Sequence, residues 1–179
     1  MRILGAVLAG GESRRFGSDK AEALLDGKRL IDHAAASIAP FCETVVIVGR
    51  EGGVPDRPGP GLGPLGGLCG ALAYGAENGF DAVLTTACDV PDLPEALLST
   101  LVAAAPAVVA DLPVVGVWPT TLAERLAAYL ESGAPRAMRI WREAAGATLV
   151  PWPDPIRNIN RPEDLPLPTT RHPGEGRGP

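Results

Sequence analysis

Cysteine is scarce in this chain. Of 179 residues, Cys42, Cys69 and Cys88 alone carry a thiol. They are odd in number and widely spaced, and no C-x-x-C pair occurs, so neither a disulfide framework nor a zinc ribbon fits. They read as small buried hydrophobes of a reducing compartment. Lysine is scarcer: Lys20 and Lys28 stand against fourteen arginines. A net positive charge is absent too, the formal value being −5. That argues against wholesale nucleic-acid binding, which needs a basic face. No stretch approaches the ~20 apolar residues of a membrane span. Met1-Arg2 leads straight into an apolar run without a signal-peptide core, and the expected location is the cytoplasm. No internal repeat is visible. No P-loop spacing G-x-x-x-x-G-K-[ST] is found either. Gly61-x-Gly63-x-x-Gly66 matches the dinucleotide pattern G-x-G-x-x-G. Its position excludes that role: no strand directly precedes it, and the acidic residue about 20 positions on, Asp81, precedes a strand instead of ending one.

What is present describes a globular α/β protein. Hydrophobic residues make up 46% and charged residues 21%, a balance typical of folded domains. The length fits one domain over residues 1–165, followed by a tail, 166–179, that loses the apolar pattern and is expected to be disordered. A domain of this size buries about 70% of its unfolded surface and needs no covalent staple.

The spacing predicts strands at Ile3–Leu8, Thr44–Val48 and Ala82–Thr86, with short strands at Ala107–Ala110, Val114–Val117 and Ala147–Val150. Asp111-Leu112-Pro113 is expected to split two of them. Helices are expected over Leu30–Ala39, Pro64–Asn78 and Pro94–Ala105. Two more follow, one running from a Thr120 or Thr121 cap to Glu131 and one over Pro135–Ala145. Asp26-Gly27 is a turn. Strands alternating with helices imply a three-layer α/β/α, Rossmann-like domain with a mostly parallel sheet. In such sheets ligands bind beyond the carboxyl ends of the strands, where Gly10, Asp56 and Asp89 fall.

One stretch organises the candidate chemistry: Leu8-Ala9-Gly10-Gly11-Glu12-Ser13-Arg14-Arg15-Phe16-Gly17-Ser18-Asp19-Lys20. At Gly10 and Gly11 the side chains vanish, so backbone amides can approach a ligand closely. Cations follow. Bare amides plus cations at a strand end suit phosphate, although an ordinary strand-to-helix turn with a solvated basic rim has the same ingredients. Asp89 follows a strand in Thr86-Ala87-Cys88-Asp89-Val90-Pro91. A carboxylate there can hold Mg²⁺ or simply form the turn. Asp56 lies in a loop dense in glycine and proline and can be solvated. In Asn158-Ile159-Asn160, alternation puts two amides on one face, while turn chemistry before Pro162 accounts for them equally. Arg136 and Arg139, three apart on an expected helix, would share a face.

Together these pieces resemble a known family. Leu8-Ala9-Gly10-Gly11, Arg15-x-Gly17 and Asp19-Lys20 look like the signature of the molybdenum cofactor guanylyltransferases. These are nucleotidyltransferases of glycosyltransferase-A-like fold. Cys88-Asp89-Val90-Pro91, Gly63-Pro64-Leu65-Gly66-Gly67 and Asn158-x-Asn160-x-Pro162-Glu163-Asp164 resemble further motifs of the same family, in the same order, over Ile3 to about Leu165. The resemblance implies transfer of GMP from GTP to the phosphate of Mo-molybdopterin, with pyrophosphate leaving and Mg²⁺ as cofactor. It implies nucleotide contacts at Leu8, Ala9, Gly10, Gly11, Lys20, Asp56, Gly66 and Asp89. It implies catalytic roles for Arg15, Lys20 and Asp89, with Asp89 as the metal ligand, and acceptor contacts at Arg136, Asn158 and Asn160. The implied partners are GTP, Mo-molybdopterin and either molybdoenzymes or cofactor-delivery proteins. Two positions depart from the family pattern. Gly49 stands where some members carry a nucleotide-contacting asparagine, and Glu12 places an acid inside the phosphate loop. Two other readings stay open. One is another nucleotidyltransferase on this fold, using CTP or a sugar phosphate; the other is a catalytically silent nucleotide-binding protein.

Overall fold

The computed structural model describes residues 1–10 and 19–165. The expected roles of Gly11 and Arg15, the acid at Glu12 and the tail 166–179 lie outside the described residues. Eight strands occur among those described: β1 (Ile3–Leu8), β2 (Leu24–Leu25), β3 (Lys28–Arg29), β4 (Thr44–Val48), β5 (Ala82–Ala87), β6 (Ala107–Val109), β7 (Leu112–Pro119) and β8 (Thr148–Val150). The α-helices are α1 (Leu30–Ile38), α2 (Pro64–Glu77), α3 (Glu95–Ala103), α4 (Ala123–Glu131) and α5 (Met138–Ala144). Six strands form one sheet in the order β4-β1-β5-β7-β6-β8, and β2 and β3 form a hairpin across Asp26-Gly27.

Every residue of β1 is buried, as its unbroken apolar run requires of a strand covered on both faces. Successive side chains point to opposite faces. Leu4, Ala6 and Leu8 join a cluster with α2, α4 and α5 through Leu68, Leu72, Leu126 and Trp141. Ile3 and Val7 join the cluster on the other face with Ile31 and Ile38 of α1 and Leu97 and Leu101 of α3. That alternation builds the three expected layers. Among the described residues, no helix is long and apolar enough to cross a membrane.

β1 pairs in parallel with both β4 and β5, and β6 pairs in parallel with β8; β7 is antiparallel to both of its neighbours. The reason is local. Val109 pairs with Leu112, so the chain reverses through Ala110-Asp111 alone, and a turn this short returns the strand antiparallel. The expected break at Asp111-Leu112-Pro113 is therefore too long: Leu112 and Pro113 already belong to β7.

Two other expectations are corrected. Neither Thr120 nor Thr121 caps α4. Thr120 Oγ1 donates to the Phe80 carbonyl at 2.8 Å, residues Thr120–Leu122 form a 3₁₀ turn, and α4 starts at Ala123. Helix α5 starts at Met138, not Pro135. The Tyr129 hydroxyl donates to the Pro135 carbonyl at 2.8 Å, which engages that oxygen outside any helical turn. Arg136 thus precedes the helix, and the face it was expected to share with Arg139 does not form.

The exits of β1 and β4 touch. Ala9 N donates to Val48 O at 3.0 Å. Gly49 adopts φ of 81°, and a Cβ placed on it would lie 2.6 Å from Gly10 Cα and 2.8 Å from Gly10 N. A side chain here would meet backbone that cannot swing away. Gly49→Ala is expected to lose at least about 2 kcal/mol of stability in urea unfolding, combining left-handed strain with overpacking. A loss below about 0.5 kcal/mol, ordinary for a surface change, would mean that the strand ends separate readily.

Candidate active site

The strand ends bring the candidate residues together. Leu8 of β1 pairs with Val48 of β4 and with Ala87 of β5, so three strands stop at one level. Gly10 follows the first, Gly49 the second and Asp89 the third. Cys88 N donates to Leu8 O at 3.3 Å, which ties the β5 exit to β1.

Lys20 reaches the same level. It opens a 3₁₀ turn, Lys20–Glu22, whose N-cap is Asp19; the Asp19 carboxylate accepts from Ala21 N at 3.2 Å. Ala21 is buried in the cluster beneath α1. From this anchored turn Lys20 Nζ donates to Asp89 Oδ2 at 2.8 Å and to Asn160 Oδ1 at 3.2 Å. The side chains of Lys20 and Asp89 are 13% and 22% exposed, so the pair is largely shielded. Shielding strengthens the attraction and makes each charge costly without the other.

The C-terminal segment closes onto the same point. Ile159 N donates to Asp89 O at 2.8 Å, and the Ile159 side chain is buried with Leu25 and Leu30. Asp164 Oδ2 accepts from Asn160 N and Arg161 N, both at 2.8 Å. These amide bonds hold the Asp164 carboxyl below its usual range and fix the backbone that carries Asn160. Asn158 Oδ1 is buried with no hydrogen-bond partner among the described residues.

Asp56 occupies a cage of glycines. Cβ atoms built on Gly10, Gly49, Gly66 and Gly67 would fall 3.0–3.6 Å from its carboxylate oxygens. The tight approach is at Gly49, at 3.0 Å; the other three would be in ordinary contact with the carboxylate. Its Oδ1 is buried and has no hydrogen-bond partner among the described residues, and burial raises its pKa. Arg136, on the connection between α4 and α5, is exposed, with Nη1 3.5 Å from the carbonyl of Gly61, five residues after Asp56 on its loop. Lys28 is exposed on the β2–β3 hairpin.

Arg50 and Glu22 were not singled out from sequence, and Asp164 entered only as the last residue of the Asn158–Asp164 motif, with no role. Arg50 follows Gly49 and forks onto both Asp19 oxygens, with Nη1 to Oδ1 at 2.9 Å; its Nη2 also lies 3.4 Å from Glu22 Oε1. Arg50 holds the Asp19 carboxyl below its ordinary range. The available signal was an arginine directly after a strand-end glycine.

Mg²⁺ fits the donor chemistry. Asp89 Oδ2 and Asn160 Oδ1 are hard oxygens within reach of one ammonium, and a hard cation takes one or two such groups plus phosphate and water oxygens. Among the described residues, no group of three or more His, Cys, Asp or Glu is placed to hold a metal.

A strand-end glycine and a shielded lysine–aspartate pair at the strand ends of a three-layer α/β fold are in keeping with a nucleotidyltransferase domain. The model of the MobA-like NTP transferase domain matches residues 5–148, and the chain belongs to that family. It is 41% identical over 182 residues to the molybdenum cofactor guanylyltransferase of Rhodobacter capsulatus, covering 92% of this chain and 94% of the relative. The enzyme of that name from Rhizobium johnstonii is 33% identical over 91% of this chain and 90% of its own. In structure, the chain is similar to molybdopterin-guanine dinucleotide biosynthesis protein A from Archaeoglobus fulgidus. The TM-score is 0.67 and the identity 24%, over 90% of this chain and 94% of that one. A 2-C-methyl-D-erythritol 4-phosphate cytidylyltransferase from Thermus thermophilus shares the fold at TM-score 0.60 and 17% identity, over 92% and 95% of the two chains.

The caged carboxylate gives a pH signature. A raised folded pKa means that the folded state binds this proton more tightly than the unfolded chain does. Stability from this group is therefore full below the ordinary aspartate value, about 3.9, and is lost as pH rises through the raised value. Asp56→Asn removes the charge. It is expected to raise the melting temperature of the nucleotide-free protein at pH 7, by an amount that shrinks as pH falls towards 4. An equal shift at both pH values would show that Asp56 carries no such penalty.

Proposed function

We propose that this chain transfers GMP from GTP to the terminal phosphate of Mo-molybdopterin, in the cytoplasm. The new bond joins the acceptor phosphate oxygen to the α-phosphorus of GTP; the bond from that phosphorus to pyrophosphate breaks. The observation that carries the reading is the Lys20–Asp89–Asn160 cluster at the strand ends, in a chain whose curated relatives are named for this activity. The three free cysteines are in keeping with a reducing compartment. Molybdoenzymes or cofactor-delivery proteins would receive the product.

Each residue then has a stated task. The acceptor phosphate is already ionised at neutral pH, so no general base is needed. The requirement is alignment and neutralisation of phosphate charge. Lys20 supplies a compact ammonium on a flexible stem. That stem lets it leave Asp89 Oδ2 for a phosphate oxygen while Asn160 keeps it in register. Asp89 would hold Mg²⁺, which when bound would neutralise phosphate oxygens, and Asn160 would face the acceptor phosphate. Gly10 leaves its amide open to phosphate. Asp56 Oδ1, buried and unpartnered among the described residues, accepts from the donors of the nucleoside. Leu8, Ala9 and Gly66 line the nucleotide with backbone, and Gly11 and Arg15 complete the phosphate loop. Asn158 and Arg136 face the acceptor.

The test is pyrophosphate release with GTP or CTP as donor and Mo-molybdopterin or a sugar phosphate as acceptor, on wild type and three variants. Lys20→Ala is expected to cost about 1.5–3 kcal/mol, the value of a hydrogen bond to a charged group, or roughly ten- to more than a hundredfold. Asp89→Asn is expected to cost at least ~10²-fold. Lys28→Ala should behave as wild type. Equal damage from Lys28→Ala and Lys20→Ala, or turnover with CTP but not GTP, would overturn the reading.

A further inference from the structure

We infer that Arg50 is a positioning residue, which sets where the Lys20 ammonium stands by clamping Asp19 at the start of the Lys20 turn. The clamp is a two-toothed fork: Arg50 Nη1 and Nη2 each donate to one oxygen of Asp19. Planar guanidinium and carboxylate fix each other's orientation as well as distance. The same Asp19 carboxylate accepts from Ala21 N, so the clamp acts on the first residues of the turn. Glu22, at the end of that turn, lies 3.4 Å from Arg50 Nη2, so Arg50 grips both ends. Arg50 is itself held firmly. Gly49 before it is locked against Gly10, with its N donating to Val54 O at 2.8 Å, and Gly53 N donates to Arg50 O at 3.0 Å. The β4 exit is thereby coupled to the Lys20 turn across the site.

The physical need is clear from exposure. Asp19 and Glu22 are about half exposed, at 47% and 44%, and such pairs add little stability, about 0–1 kcal/mol. What the fork contributes is geometry. A three-residue 3₁₀ turn holds few hydrogen bonds of its own, and Lys20 must place one ammonium between Asp89 and Asn160. The catalytic consequence rests on the proposed phosphate role of Lys20; the positional consequence does not.

The experiment uses the small number of lysines. Isotope-labelled lysine gives two side-chain signals in the whole protein, from Lys20 and Lys28. Arg50→Gln should shift or broaden the Lys20 signal of the nucleotide-free protein and leave that of Lys28 in place. Arg50→Lys, a point charge in place of a fork, should recover part of the change. Asp19→Asn, whose amide oxygen can still cap Ala21, should reproduce it and serves if Arg50→Gln is poorly folded. With GTP, Arg50→Gln should lower kcat/KM between about tenfold and a hundredfold, and should add nothing in a Lys20→Ala background. Unmoved Lys20 signals in both variants, or an Arg50→Gln loss of the same size with and without Lys20, would overturn the inference. If Lys20→Ala keeps full activity while the Lys20 signal still moves in Arg50→Gln, the positioning stands and the phosphate role of Lys20 falls.

Discussion

The pairing of β1 between β4 and β5 is the constraint on which the rest of this structure depends. An apolar strand buried on both faces must satisfy its backbone within the sheet, because no water reaches it. Parallel partners on both sides do this, and they bring three strand ends to one level. Beyond that level the backbone is released together at Gly10, Gly49 and Asp89. The site is the place where an obligatory hydrogen-bonding pattern stops.

Electrostatics then decide what can sit there. The chain carries a net charge of −5, so attraction for an anion has to be arranged locally. Lys20 and Asp89 are shielded, so the attraction between them is screened less than that of an exposed pair. Around them runs a chain of surface pairs, Asp19–Arg50–Glu22–Arg29–Asp32. Each link is exposed and weak. Their common effect is to tie the Lys20 turn to the β4 exit and to the start of α1. Asp56 works the other way: its cage of glycines strips solvent from a carboxylate and leaves it wanting a donor.

Much of the fold was legible in residue patterns. The runs Ile3–Leu8 and Thr44–Val48 are strands at the expected bounds, and Pro64 opens α2 as expected. These elements have strong local causes: an unbroken buried apolar run, a β-branched run, a proline with its fixed φ. The misread boundaries lie where the cause is distant. The threonine expected to cap α4 bonds instead to Phe80 and Asp81, some forty residues away. Pro135 was expected to open a helix, but its carbonyl is taken by Tyr129.

The sequence by itself determined the kinds of groups available: strand-end glycines, an isolated lysine after a glycine loop, an aspartate at the close of an apolar strand, and paired asparagines near the end. Spacing and side-chain chemistry are local properties, and motifs record them. Tertiary structure alone decided that Lys20 meets Asp89, 69 residues on, and Asn160, 140 residues on. It also decided that Arg50 grips Asp19 and that four glycines enclose Asp56. Those meetings depend on strand order and register, which arise from burying both faces of one sheet at once. No single stretch of chain carries that requirement, because it is a property of the whole core.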